Sequence, residues 1–254
     1  MPVLSQRRRV LAVALLWGGV ALGSAQALEI SWGGSAKVTG SGRQASETRA
    51  VSGFQAVASR GSVQLVVRQT GKESAEVRAD DNVLPLIETV VEQRNGTPTL
   101  LVGLKKGSNV STRNPMVVTV DVAQLSAVSA AGSGDVRIGT LQTPALKLSI
   151  AGSADTKIGQ LKTEELAIAI SGSGDVDAAG QATRVSVKIA GSGDVRLRQL
   201  QSDDVSISIS GSGDAEVQAA KNLTVSIAGS GDVVYHGDAK LSSRVAGSGS
   251  VTRR

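Results

Sequence analysis

The chain has 254 residues, with 27 lysines and arginines, 22 acidic residues, one histidine and no cysteine. Lack of cysteine excludes disulfides and a lipid-anchoring thiol. With 2% aromatic residues, the chain also lacks the stacking rings and basic stripe used in nucleic-acid binding.

Residues 1–27 read as a secretory signal peptide. "QRRR" (6–9) is a basic head, "VLAVALLWGGVALG" (10–23) an apolar stretch, and Ala25-Gln26-Ala27 an A-x-A cleavage site. The apolar stretch falls short of the roughly 20 residues a membrane span needs. Arg7-Arg8 raises a twin-arginine route, but the flanking residues match that signal loosely, so ordinary secretion is expected. Beyond the leader, 24 basic side chains face 22 acidic ones, so the net charge of +5 falls to +2. No second apolar span follows, and the mature chain is expected in the periplasm or released.

Residues 28–254 are expected to form one β-helix domain, with 28–116 as irregular coils and a cap and 117–254 as regular coils. In the first part, "GSVQLVVRQ" (61–69), "ESAEVRAD" (73–80) and "TLLVGLKKG" (99–107) carry strand patterns. Leu84-Pro85, inside "DNVLPLIETVVEQ" (81–93), predicts a turn or short helical interruption. "VTGSG" (38–42) and "SRGSV" (59–63) resemble degenerate versions of the corner described next.

From 131 onwards one hexapeptide recurs: AGSGDV, AGSADT, SGSGDV, AGSGDV, SGSGDA, AGSGDV and AGSGSV. Its first glycines are Gly132, Gly152, Gly172, Gly191, Gly211, Gly229 and Gly247, at steps of 20, 20, 19, 20, 18 and 18 residues. That period fits a coil of parallel β-helix and overlaps the short end of leucine-rich repeats. Strict alternation before each glycine ("LKLSI", "LAIAI", "VSVKI", "VSISI", "LTVSI") selects strands, and the consensus asparagine of a leucine-rich repeat is missing. Ile150, Ile170, Ile189, Ile209, Ile227 and Val245 should stack into one column. Val136, Val176, Val195 and Val233 should form another, Ile138, Ile158, Leu197 and Val217 a third, and Leu141, Leu161 and Leu200 a weaker stripe. Three short strands per coil, about 4.8 Å above the last, would span roughly 29 Å in six steps. The fold expected is therefore all-β, a parallel β-helix with coils of 18–20 residues.

The glycines are read as corner residues, which reach backbone angles closed to others and permit close chain approach. Ser and Asp suit the same turn. Ala154 in place of a second glycine implies that this position does not require a left-handed angle. Asp135, Asp155, Asp175, Asp194, Asp214 and Asp232 would line one edge, with Ser133, Ser153, Ser173, Ser192, Ser212, Ser230 and Ser248 beside them. Carboxylates about 4.8 Å apart repel by roughly 1 kcal/mol in water and more near protein, so solvent, hydrogen bonds or a cation must offset the charge. A calcium ladder is one candidate, but one Asp per coil supplies few ligands, and turn-forming Asp is the expected role. No cofactor is expected. His236 is the single histidine, is read as a surface residue, and assembles no triad or metal cluster.

The ordered combination of "SGFQAV", "EVRADDNVLPLIETVVE", "LLVGLKKG" and serial "GSGDV" corners, from Val51 to Val251, resembles the putative auto-transporter adhesin head GIN domain family. The resemblance implies a right-handed β-helix in an exported bacterial protein and supplies no catalytic residues. The function expected is a non-enzymatic, adhesin-like binding or structural module of the cell envelope, with a glycan or protein as partner. The alternatives are a carbohydrate-active enzyme using carboxylates such as Asp175 and Asp194, and a calcium-stabilised scaffold. Sparse aromatics weigh against the enzyme.

Overall fold

The computed structural model describes residues 37–254, and the signal peptide expected over 1–27 lies outside the described residues. The fold is a β-solenoid of stacked parallel coils. Alternation of apolar and small polar residues drives it, since one face of each strand must leave water.

The first column runs from Ala56–Gly61 through Ala127–Gly132 and Ala145–Gly152 to residues 165–172, 184–191 and 204–211, then Asn222–Gly229 and Lys240–Gly247, all in parallel. Ile150, Ile170, Ile189, Ile209, Ile227 and Val245 are direct register partners along it. A second column starts at Val117–Val122 and passes through Gln64–Gln69 and Val136–Gln142 to Val251–Arg253. Val136, Val176, Val195 and Val233 lie in one row of it, fully buried. The third side is short. Leu141, Leu161, Gly180 and Leu200 align there, and the strands Thr156–Gly172 and Val176–Gly191 run through it without a break into the next first side.

The N-terminal half departs from the coil picture expected for it. Residues 56–69 form a coil, and before reaching Ala127 the chain makes an excursion in which Thr97–Leu104 and Val117–Val122 keep to the stack, parallel to residues 56–59 and 64–69. The excursion builds antiparallel layers: Ser74–Asp80 lies between Val117–Val122 and Gln44–Arg49, and Ile87–Arg94 folds back on Thr97–Leu104. Asn95 and Gly96 join that last pair at φ 50° and 79°, the left-handed angles of a two-residue hairpin turn, which reverses the chain where a coil would advance it. Leu84–Leu86 is a single 3-10 turn with Pro85 inside it, as the Leu84-Pro85 step predicts.

The two degenerate corners diverge. Gly61 stacks directly against Gly132. By contrast, 38–42 forms no corner of the stack: Lys37–Thr39 pairs with Asn109–Ser111 in a separate two-stranded sheet. Gly40 is crowded against the Asp80 carboxylate, which accepts hydrogen bonds from Asn114 Nδ2 at 2.6 Å and Thr112 Oγ1 at 2.7 Å. Asp80 is 1% exposed, and these bonds, Asn114 first, hold its carboxyl below the usual carboxylate range.

Candidate functional site

Two edges of the solenoid carry ordered polar chemistry. At the glycine corner, Gly132 to Gly247 all have φ between 118° and 141°, where side chains are strained. A Cβ on any of them would also come under 3.0 Å from the carbonyl of the matching glycine one coil back. The following serine N–H donates to that same carbonyl, as from Ser192 to Gly172 at 2.9 Å. The second glycine has no positive φ. Ala154 fills that position completely buried.

The aspartates form a hydrogen-bonded chain. Asp155 Oδ1 accepts the N–H of Asp175 at 3.0 Å, Asp175 that of Asp194 at 2.9 Å, Asp194 that of Asp214 at 3.1 Å, and Asp214 that of Asp232 at 2.8 Å. Asp232 accepts both the N–H and the hydroxyl of Ser250, each at 2.8 Å. Each carboxylate thus satisfies a corner amide that no strand partner reaches. Arg196 offsets charge further by bridging Asp175 at 2.9 Å and Asp194 at 3.1 Å, and the Asp175 hydrogen bond holds its guanidinium above the usual range. Asp135 lies 4.0 Å from Arg137 instead. Among the described residues, no group of three or more His, Asp or Glu side chains is placed to hold a metal ion. The ladder serines are exposed.

The second edge is a groove of about 1510 Å³ along the third side, reaching from Gln55 and Gln69 to Gly237 and Asp238. It crosses six coil steps, roughly 29 Å. Gln142, Lys162, Gln181 and Gln201 are successive register partners in it, all exposed. Their row arises because Leu141, Leu161 and Leu200 point inward, so the next residue points out. Thr163, Ala182 and Ser202 follow, buried, with Thr163 Oγ1 donating to backbone carbonyls. Two consecutive outward residues, as at Glu164 and Glu165, then mark the bend into the next coil. Gln69 is held in place: its amide donates to Gln142 O and accepts from Gln142 N at 3.0 and 2.8 Å. Among the described residues, the side chains of Gln142, Lys162, Gln181 and Gln201 have no protein hydrogen-bond partner. Asp203 at the rim pairs with Lys221 at 2.9 Å, and Asp238 pairs with Arg253.

Sequence reasoning missed this row because the offset from the corner slips. Gln142, Lys162 and Gln201 stand ten residues past their glycine, and Gln181 stands nine past. The buried leucines mark Gln142, Lys162 and Gln201, but Gly180 stands where the leucine before Gln181 would be. His236 is half-buried rather than at the surface, with Nε2 2.8 Å from Glu216 Oε1. Basic side chains also gather more than expected: Lys157, Arg196 and Arg198 line a shallow notch of about 340 Å³, with Asp177 among them.

No curated protein matches the chain. Solved structures do. A putative adhesin from Bacteroides fragilis is 24% identical with a TM-score of 0.78, over 85% of this chain and 100% of its own. A putative lipid binding protein from Parabacteroides distasonis is 24% identical with a TM-score of 0.69, over 86% and 100%. A putative adhesin from Parabacteroides merdae is 23% identical with a TM-score of 0.66, over 86% and 99%. At such identities the likeness speaks to the fold, which all three share with the stacked coils described above. The family described as "Putative auto-transporter adhesin, head GIN domain" matches residues 53–239, from just before the first coil to the far end of the groove, and the chain belongs to that family.

Proposed function

We propose that the chain is an exported, non-catalytic binding module of the cell envelope. The observation that carries this reading is the long groove, in which Gln142, Lys162, Gln181 and Gln201 stand exposed on successive coils with side chains that no other described residue engages. Such a surface binds without needing to react. The leader at 1–27 supports export, and family membership supports an adhesin-like role.

The catalytic alternative has weaker footing. The Oδ1 atoms of Asp175 and Asp194 hold backbone amides and their Oδ2 atoms share Arg196, so neither is poised as a general acid or base. A lipid-binding role, the description given to the Parabacteroides distasonis protein, would call for an enclosed apolar cavity; this groove is open, and its alanines, Leu125 and Pro144 are interleaved with amides, hydroxyls and charged groups.

Retention of envelope fractions on the immobilised chain tests the proposal, with cell fractionation to locate the mature protein. Retention of an envelope component is expected. Retention of none, or a wholly cytoplasmic location, would refute the reading.

A further inference from the structure

We infer that the groove on the third side takes an extended, uncharged glycan lying along the solenoid axis, one sugar unit against each coil. The inference rests on the binding-module reading above and adds the ligand class.

Three observations carry it. The first is chemical. Gln142, Gln181 and Gln201 each offer a donor and an acceptor on one planar group, which matches sugar hydroxyls, since these also both donate and accept. The second is the repeat. Register pairing sets Gln142, Lys162, Gln181 and Gln201 on successive coils, about 4.8 Å apart, close to the advance of one unit in an extended pyranose chain. A ligand with that repeat meets an amide at three of these four steps and the Lys162 amine at the other. The third is charge. Lys162 is the one cation in the row, Glu164 stands along the same groove, and Asp203 and Asp238 at its rim are balanced by Lys221 and Arg253, so the groove holds no excess of positive charge for a polyanion.

Other extended ligands fit less well. A peptide strand binds a sheet by adding to an open edge, and here the strands flanking the groove are paired to the coils on either side. Nucleic acid needs stacked rings and several cations, and the groove contains no aromatic residue. Without an aromatic platform, each sugar is held by a few hydrogen bonds, so single units bind weakly. Affinity must accumulate along the chain, because each further contact is made at high effective concentration.

The test uses calorimetry and affinity electrophoresis with the mature chain against neutral linear glycans: β-1,4- and β-1,3-glucans, mannan and xylan, each graded by length. At least one should bind, more tightly as its length approaches the span of the groove. Gln181→Ala should weaken binding roughly fivefold, and the triple change Gln142→Ala, Gln181→Ala, Gln201→Ala should abolish it at an unchanged melting midpoint. Ser208→Ala, on the outer first face, should change neither. Three results would overturn the inference: binding indifferent to glycan length, binding intact in the triple variant, or preference for polygalacturonate or phospholipid vesicles. If the triple variant still retains envelope material, the ligand assignment falls and the binding-module reading stands. If the unaltered chain retains nothing, both fall.

Discussion

Gly191→Ala and Gly193→Ala differ by two positions and test why the corner is built as it is. In both, the added Cβ would come under 3.0 Å from a carbonyl one coil back, that of Gly172 or Gly174. Overpacking of this kind costs roughly 1–3 kcal/mol, and it is common to the two variants. Gly191 alone has a φ of 135°, in a region where a side chain adds about 1–3 kcal/mol of strain. Gly193 has no such angle, and Ala154 shows an alanine seated at the equivalent place. Gly191→Ala should therefore be the less stable by about 2 kcal/mol, which separates melting midpoints by roughly 4–8 °C in a domain of this size. Far-UV circular dichroism through thermal and urea melts reads the gap. Equal losses would mean that crowding alone explains the first glycine, and a larger loss at Gly193 would reverse the argument.

Ile209→Ala and Val245→Ala probe one column at two depths. Ile209 is 1% exposed and its loss should cost about 2–5 kcal/mol; Val245, 40% exposed on the last coil, should cost under about 1 kcal/mol. Equal costs would show that the column is not read correctly. Chelator should leave the melting midpoint unchanged, because the Asp ladder is already engaged by backbone N–H groups; a drop with EDTA that calcium restores would establish a cation there. Asp80 should make the chain acid-sensitive. Its folded pKa lies below the ordinary 3.8, so its contribution is complete above that value and is lost as pH falls through the lowered one. Asn114→Ala, by removing the largest cause, should destabilise the chain at neutral pH and flatten this loss; an unaltered acid-unfolding profile would refute the assignment.

The regular coils were legible because each carries its own evidence. Alternation sets inward and outward faces, and the glycine marks the corner. The direction of the chain in the first half was harder to read. Ser74–Asp80 and Ile87–Arg94 have good strand patterns, but a pattern does not state whether a strand runs parallel or antiparallel to its neighbour. The Asn95-Gly96 pair carries that information for one hairpin, as a dipeptide that turns the chain back, and the irregular coils expected over 28–116 took no account of it. The aspartates were expected to serve turns. That five of them, Asp155 to Asp232, reach across to the next coil depends on the vertical stacking of residues 18–20 positions apart, which local turn chemistry does not encode. The groove was hidden for a related reason: its row is aligned in space and not in residue count.

Coil lengths differ, and the differences fall in one place. Ile158 pairs with Ala178 at an offset of 20, yet Leu161 pairs with Gly180 at 19. Leu197 pairs with Val217 at 20, yet Asp204 pairs with Asn222 at 18. Residues are dropped on the third side while the small-residue bend opposite never loses step. A scaffold arranged this way can be shortened or lengthened along its ligand-facing wall, one storey at a time, without disturbing the spine that keeps the storeys aligned.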